Sequence, residues 1–401
     1  MKKVLIVTER FWPEEFIVND LATEAAKLGN KVTVLTQQAS YPYGRIPRGR
    51  RNSILSRERW NEIEVIRFKT VLGYRDSLFF KILNYLWFAV FGSFVALGIK
   101  ARFDSVLIYQ TGPLTMCVPG IVYGKIRHVS MTIWTQDIWP DSIYAYGFKK
   151  GRLLSLALDA FVRWVYGSMV AVLVSCRGFA DVLKRYTKIA IIYAPNWALS
   201  TYEEPCSNTL ISDIPIFLFA GNVGMVQNLE NVIKGYAKAK EDLTFNGILR
   251  IVGDGSALAQ LRHLAEMLAV NVEFPGRIHS SKMNEEYARA SYLILSLDDK
   301  PAFRITVPSK FQMYLSVGKP ILCAAEGEVR QLVRECGLGV DADARSPESI
   351  AAAFKRLACA NKDEVNAWKK NAKTGFEETF SRTKIIETIL AAIGRRQIQY
   401  R

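Results

Sequence analysis

The chain has 401 residues, a length that predicts two domains. Its 50% apolar and 23% charged residues exclude a disordered or low-complexity chain, and a core this size needs neither disulfides nor a structural metal. Lys and Arg number 53 against 38 Asp and Glu, a net of +15, and the excess is one-sided: residues 1–190 carry 27 basic and 14 acidic side chains (+13), residues 191–401 carry 26 and 24 (+2). A basic first half suits anionic lipid, nucleic acid or a phosphorylated ligand, or serves solubility alone.

In chain order, Met1-Lys2-Lys3 leads into Val4–Thr8, an apolar run too short for a signal-peptide core and predicted as the first strand. Phe16–Leu28 has helical periodicity and closes at Gly29; Lys31–Thr36 is the next strand. Residues 45–59 hold six arginines (45, 48, 50, 51, 57 and 59). Residues 78–99 follow, with no charge from Ile82 to Ile99, and three readings stay open: a membrane span, a helix buried in a domain, or a helix dipped into one leaflet. Beside such a helix the arginines suit an anionic membrane; no nucleic-acid-binding motif accompanies them. Strands are predicted at Ser105–Tyr109, Ser130–Thr135, Val170–Val174 and Ala190–Tyr193, with helices at 151–168 and 177–186. Short strands alternating with helices predict a doubly wound parallel sheet.

Residues 199–213 are polar and turn-prone, the expected linker. A second α/β block follows, with strands at 216–220, 247–252, 270–274, 292–296, 320–323 and 339–340. Helices are expected near 229–240, 256–268, 281–289, 308–317, 347–358, 362–374 and 380–394. The expected domains are therefore 1–198 and 199–379, followed by a helical segment to residue 401. The six cysteines form no C-x-x-C pair and the three histidines (128, 263, 279) stand apart, so no redox motif or metal site is expected; unpaired cysteines fit a reducing cytoplasm.

The informative motifs lie at strand ends. Gly221-Asn222-Val223-Gly224 and Gly253-Asp254-Gly255 are glycine turns of the kind that bring backbone N–H groups to phosphates, or simply make tight turns. Pro308-Ser309-Lys310 opens a helix. A lysine in a first turn opposes the helix dipole, which weighs against a merely solvated side chain and for a diphosphate site made with the free N–H groups. Glu328 starts another helix and suits ribose hydroxyls. In the first block, Trp134–Asp141 places carboxylates and tryptophans after a strand. Asp137 is the candidate catalytic or positioning carboxylate and Asp141 the second, unless either simply caps the next helix; Trp134 and Trp139 suit a sugar ring, and the loops carrying Trp12, Glu14 and Tyr41, after the first two strands, should face the same cleft.

These stretches together resemble family 4 glycosyltransferases of the GT-B fold, in particular the WbuB-type transferases of O-antigen and capsule assembly. The resemblance rests on FWPEEFIVNDLATEAAKLGNKVTVLT, SYPYG, WTQDIWPDS, APN, GNVGMVQNLENVI, VGDG and VPSKFQMYLSVGKPIL. It implies two Rossmann-like domains facing each other across a cleft, 1–198 binding acceptor with 380–401 packed back on it and 199–379 binding donor, and retaining transfer from a UDP-sugar without a metal or other cofactor. The donor implied is a deoxy amino sugar such as N-acetyl-L-fucosamine. The acceptor implied is a saccharide on undecaprenyl diphosphate, at the inner face of the bacterial inner membrane. Asp137 and Lys310 would be catalytic. Gly221, Asn222, Gly224, Gly253, Asp254, Arg277, Arg304, Pro308, Ser309 and Glu328 would bind donor; Trp12, Glu14, Tyr41, Trp139 and Asp141 would bind acceptor. The pair of glutamates many such enzymes carry is replaced by Ile305 and Met313, and Asp137 stands where many have a histidine. A UDP-sugar 2-epimerase, a non-catalytic scaffold and a nucleic-acid binder are the competing classes.

Overall fold

The computed structural model describes residues 1–74, 77–139, 151–198 and 214–395. The chain divides into two compact units, Met1–Pro195 with Thr383–Arg401, and Asn196–Arg382. The linker expected at 199–213 lies outside the described residues.

The first unit is built on β1 (Lys3–Thr8), α1 (Ile17–Lys27), β2 (Lys31–Gln37), β3 (Leu55–Trp60), β4 (Ile63–Phe68) and α2 (Leu78–Leu97). It continues with β5 (Ser105–Gln110), α3 (Val118–Arg127), β6 (Ser130–Thr135), α4 (Arg152–Gly167), β7 (Ala171–Val174), α5 (Arg177–Leu183) and β8 (Ile191–Tyr193). Its sheet runs β3-β4-β2-β1-β5-β6-β7-β8. All pairs are parallel except β3 with β4, an edge hairpin the sequence reading did not foresee. Its signal is legible in retrospect: IEVIRF is an apolar stretch, and Asn61 and Glu62 both take positive φ, as a two-residue hairpin turn requires. β1 lies between β2 and β5, so chain order reverses at β1; a ligand crevice forms at such a point, outside the carboxyl ends of the strands.

Helix α2 buries one face, formed by Asn84, Phe88, Ala89, Gly92 and Ala96, and packs on α3 and β2. The Asn84 carboxamide oxygen accepts from Thr70 Oγ1 and Val71 N, both at 3.1 Å, which pins the helix to the chain after β4. Its other face is apolar and exposed: Phe79, Leu86, Val90 and Phe94 are each more than half open. The helix is long and apolar enough to cross a membrane, with a mean hydropathy of 1.6 over its most apolar stretch, of which only 22% is buried. A buried core helix would be covered on every side; α2 is not, so that reading is set aside.

The second unit contains β9 (Ile216–Ala220), α6 (Leu229–Lys240), β10 (Ile248–Val252), α7 (Leu258–Met267), β11 (Val272–Gly276), α8 (Met283–Arg289), β12 (Tyr292–Ser296) and a helical turn Pro301–Arg304. Then come α9 (Ser309–Val317), β13 (Ile321–Ala324), α10 (Glu328–Glu335), β14 (Gly339–Ala342), α11 (Pro347–Ala358) and α12 (Lys362–Thr379); α13 (Arg382–Ile393) follows and belongs almost wholly to the first unit. The sheet is all parallel, ordered β11-β10-β9-β12-β13-β14, with its order reversing at β9. Its core centres on Phe217, which meets Tyr292 stacked at 4.9 Å and Phe354 edge-on at 4.8 Å. Phe219 belongs to the same core.

Gly92 reports on how tightly α2 is seated. A Cβ there would stand 2.9 Å from Pro119 Cγ and 3.0 Å from Phe68 Cζ. Gly92→Val is therefore expected to cost about 1–3 kcal/mol through overpacking, read as a lowered thermal midpoint; an unchanged midpoint would mean that α2 is not held against Phe68 and Pro119.

Candidate functional site

In the second unit, the loops after β9 and β10 lie on one another. Gly221 N donates to Val252 O at 3.0 Å, Val223 N to Asp254 O at 3.0 Å, and Gly253 N to Gly276 O at 2.9 Å. A Cβ on Gly253 would fall 1.8 Å from Gly221 O, and one on Gly255 2.3 Å from Val223 O. Glycine is thus required because backbone meets backbone. Gly224 N donates to Gln227 Oε1, which also accepts from Asn222 Nδ2, and Asp254 Oδ1 accepts from Gly255 N. The amides of Gly221, Gly224 and Gly253 are therefore engaged within the protein. That corrects the expectation that these glycines turn their N–H groups to a phosphate.

The element left open is the start of α9. Pro308 precedes it in extended conformation, and no side chain caps the first turn. Ser309 is exposed there. Lys310 turns inward: its Nζ lies 3.6 Å from the centroid of the Phe219 ring and 3.2 Å from where a Gly221 Cβ would be. The residue as a whole is half-buried, but its Nζ is shut away from solvent and has no hydrogen-bond partner. Burial alone draws the amino group down to about 7 from its ordinary 10.5. The quadrupole of the ring favours the charged form and works against that fall, but an aromatic face satisfies none of the three N–H donors of an ammonium.

Other donor candidates are placed less favourably. Arg304 is exposed and holds Asp299 in a bidentate pair at 2.5 and 2.8 Å, so its charge is already answered. Arg277 is exposed just past β11. Glu328 begins α10 after Gly327, whose φ is +80° and whose Cβ would strike Arg304 O at 1.9 Å. A depression of about 560 Å³ opens beside α10, lined by Glu326, Gly327, Arg330, Gln331, Arg334 and Glu335. Its arginines pair with Glu326 and Asp341, and it includes neither Lys310 nor a glycine turn.

In the first unit, the loops after β1 and β2 are joined by a buried ion cluster. Arg10 pairs with Glu9 at 3.0 Å and Glu14 at 3.6 Å, and its guanidinium lies 5.2 Å from the rings of Tyr41 and Tyr74. Glu14 Oε1 accepts from Ser40 N at 2.7 Å and Tyr41 N at 2.6 Å, and burial raises its carboxyl despite Arg10. Glu14 therefore fixes the loop rather than presenting an open carboxylate, which corrects its assignment to the acceptor. Trp12 is also committed to packing: it stacks on Trp60 at 5.6 Å, and the Arg50 guanidinium lies 4.6 Å from its ring. Tyr41 is half exposed. Asp137 and Trp139, after β6, are half-buried, and Asp137 acts electrostatically on Tyr166, whose hydroxyl lies 3.3 Å from Thr135 Oγ1. Asp141 lies outside the described residues. Sequence reasoning missed Phe219 as the platform for Lys310, because a phenylalanine in a buried strand looks like core. It also left Glu9 unassigned.

Comparison with known proteins gives these features a class. Residues 203–375 match the family model of glycosyl transferases group 1. Over 273 residues the chain is 24% identical to the probable glycosyltransferase WbjE of Pseudomonas aeruginosa, covering 64% of this chain and 67% of that protein. Over 352 residues it is 24% identical to the putative colanic acid biosynthesis glycosyl transferase WcaI of Escherichia coli K12, covering 82% and 85%. The solved structure of Anabaena HepE in complex with UDP and glucose is similar with a TM-score of 0.66 at 13% identity, over 98% of this chain and 99% of that one. The fold is that of the GT-B glycosyltransferases, two α/β units with parallel-dominated sheets. The second unit carries a group 1 glycosyl transferase domain, and the chain is a glycosyltransferase.

The buried Lys310 makes stability depend on pH. The unfolded chain keeps this proton up to about 10.5 and the folded chain only to about 7, so the unfolded state binds more protons between those values and stability rises with pH across that window. Lys310→Met should stabilise the fold by roughly 3–5 kcal/mol at pH 7 and below, less any offset from the ring, with the gain shrinking towards pH 10.5. Denaturant unfolding across this range measures it; a loss of stability at every pH would mean that Nζ is not desolvated.

Proposed function

We propose that this chain transfers a sugar, with retention of configuration, from a UDP-sugar to a saccharide carried on a lipid diphosphate in bacterial surface-polysaccharide assembly. The observation that carries the donor half is Lys310, an unpartnered buried amine at an uncapped helix start, beside the carboxyl end of β9 where the sheet order reverses. HepE was solved with UDP and glucose, which supports UDP as the nucleotide. WcaI is named for colanic acid biosynthesis, which supports a polysaccharide product. The motif resemblance extends the reading to the WbuB type and to a deoxy amino sugar such as N-acetyl-L-fucosamine.

The chemistry follows from the leaving group. A nucleoside diphosphate departs readily once the charge growing on its oxygens is met, so catalysis needs charge stabilisation and alignment more than a strong base. Lys310 and the first-turn N–H groups of α9 would meet that charge in place of a metal ion. Asp137 would orient the acceptor or answer positive charge at the anomeric carbon. Thermal shift with UDP, GDP and ADP tests the donor. A ligand at about 100 times its Kd should stabilise by roughly 2.7 kcal/mol, for UDP alone and much less in Lys310→Ala. No shift with any of the three would refute the donor reading.

We further propose that the first unit rests on the anionic cytoplasmic face of the inner membrane. The exposed apolar side of α2 and the exposed arginines 45, 48 and 51, none ion-paired among the described residues, support it. Each arginine near such a surface contributes about 1 kcal/mol. Val90→Glu with Phe94→Glu alters exposed positions only, and should weaken co-sedimentation with phosphatidylglycerol vesicles while leaving the thermal midpoint in place. Equal sedimentation of variant and wild type would remove α2 from the contact.

A further inference from the structure

Among the described residues, cations that leave water deeply are accompanied by anions. Arg10 has Glu9 and Glu14, Arg67 has Glu58, and Arg250 has Glu273 and Glu286. Lys310 has none. The groups around it are uncharged or turned elsewhere. Strand β9 offers the ring of Phe219, and the following turn offers Gly221, which has no side chain to close that flank. On α9 itself, the Tyr314 hydroxyl accepts from Ala220 N and donates to Ile294 O. From α8, the Tyr287 hydroxyl donates to Met313 Sδ. Asp254, in the turn after β10, holds Gly255 N. Helix α12 packs on α9, and its Lys370, Lys373, Glu377 and Glu378 are exposed, with Lys373 paired to Glu377. None of these charges shifts Lys310.

A cation kept without a counter-ion, where a diphosphate is to bind, invites a change of charge on binding. We propose that Lys310, held on Phe219 without a counter-ion, rests partly as the neutral amine and wholly so in alkaline solution, and takes up a proton from solvent as the donor diphosphate arrives, so that donor affinity is linked to pH through this side chain. The inference rests on the donor reading above. The Nζ lone pair accepts the proton from a buffer acid, whose conjugate base is left in solution, and the new ammonium donates to the diphosphate oxygens. An arginine could not serve, since it stays charged at any working pH. Burial sets the free amine near 7; above that pH the Kd should rise by up to tenfold per pH unit until the bound lysine itself titrates.

Calorimetric titration of the full chain with UDP, at about pH 8.5 in buffers of different ionisation enthalpy, counts the protons. The nucleotide is fully ionised there, so uptake belongs to the protein. We expect close to one proton per UDP in wild type and none in Lys310→Arg or Lys310→Met. Carbon NMR of Cε-labelled lysines gives a second readout independent of folding in the variants: one lysine of the free chain should titrate near neutrality and move upward with UDP. UDP binding without proton uptake, or uptake that persists in Lys310→Met, would overturn the inference and leave the donor reading standing. Failure of wild type to bind UDP would bring down both.

Discussion

The amino group of Lys310, held against the face of Phe219 with no hydrogen-bond partner, is the constraint on which the second unit's site depends. It explains several neighbouring choices at once. Gly221 takes a φ of +141°, which suits glycine, and a Cβ there would stand only 3.2 Å from Nζ. Phe219 must be a ring in a strand otherwise built for packing. The first turn of α9 goes uncapped, leaving its N–H groups for an anion. A protein selected for stability alone would place a methionine at 310. The donor site we propose would instead tolerate a buried polar group whose partner is the substrate.

The glycine turns bear on the same point from another side. Their amides bind one another's loops, so the turns after β9, β10 and β11 brace each other. The Glu14 and Arg10 cluster does comparable work in the first unit, tying the loops after β1 and β2 with backbone and ionic bonds. In both units the side chains that look functional by type hold loops in place, and what they hold is a surface at the carboxyl ends of the strands where the sheet order reverses.

Helix α2 presents two unlike faces. Small residues, Ala89, Gly92 and Ala96, let it sit close on Phe68 and α3, while Asn84 supplies a buried polar anchor. The outward face is left apolar and exposed, with Phe79, Leu86, Val90 and Phe94 each more than half open. The edge hairpin β3–β4 carries Arg57, Arg59 and Arg67 on the same unit, drawn into pairs with Glu64, Glu62 and Glu58.

The sequence by itself determined the two α/β blocks, nearly all their strands and the helix opened by Pro308 and Lys310. These depend on local periodicity and turn chemistry, which a chain carries wherever it goes. It also exposed the charge imbalance and the apolar stretch at 78–99. Tertiary structure alone decided which candidates are open. Arg304 is bound to Asp299, Glu14 to two backbone amides and Trp12 to Trp60, and no spacing reveals a partner from a different strand or loop. The β3–β4 hairpin was missed because its arginines read as a charged surface segment rather than as a strand with one polar face. Lys310 was legible as a first-turn lysine. That it is buried on Phe219, 91 positions earlier in the chain, follows only from the parallel sheet bringing the end of β9 under the start of α9.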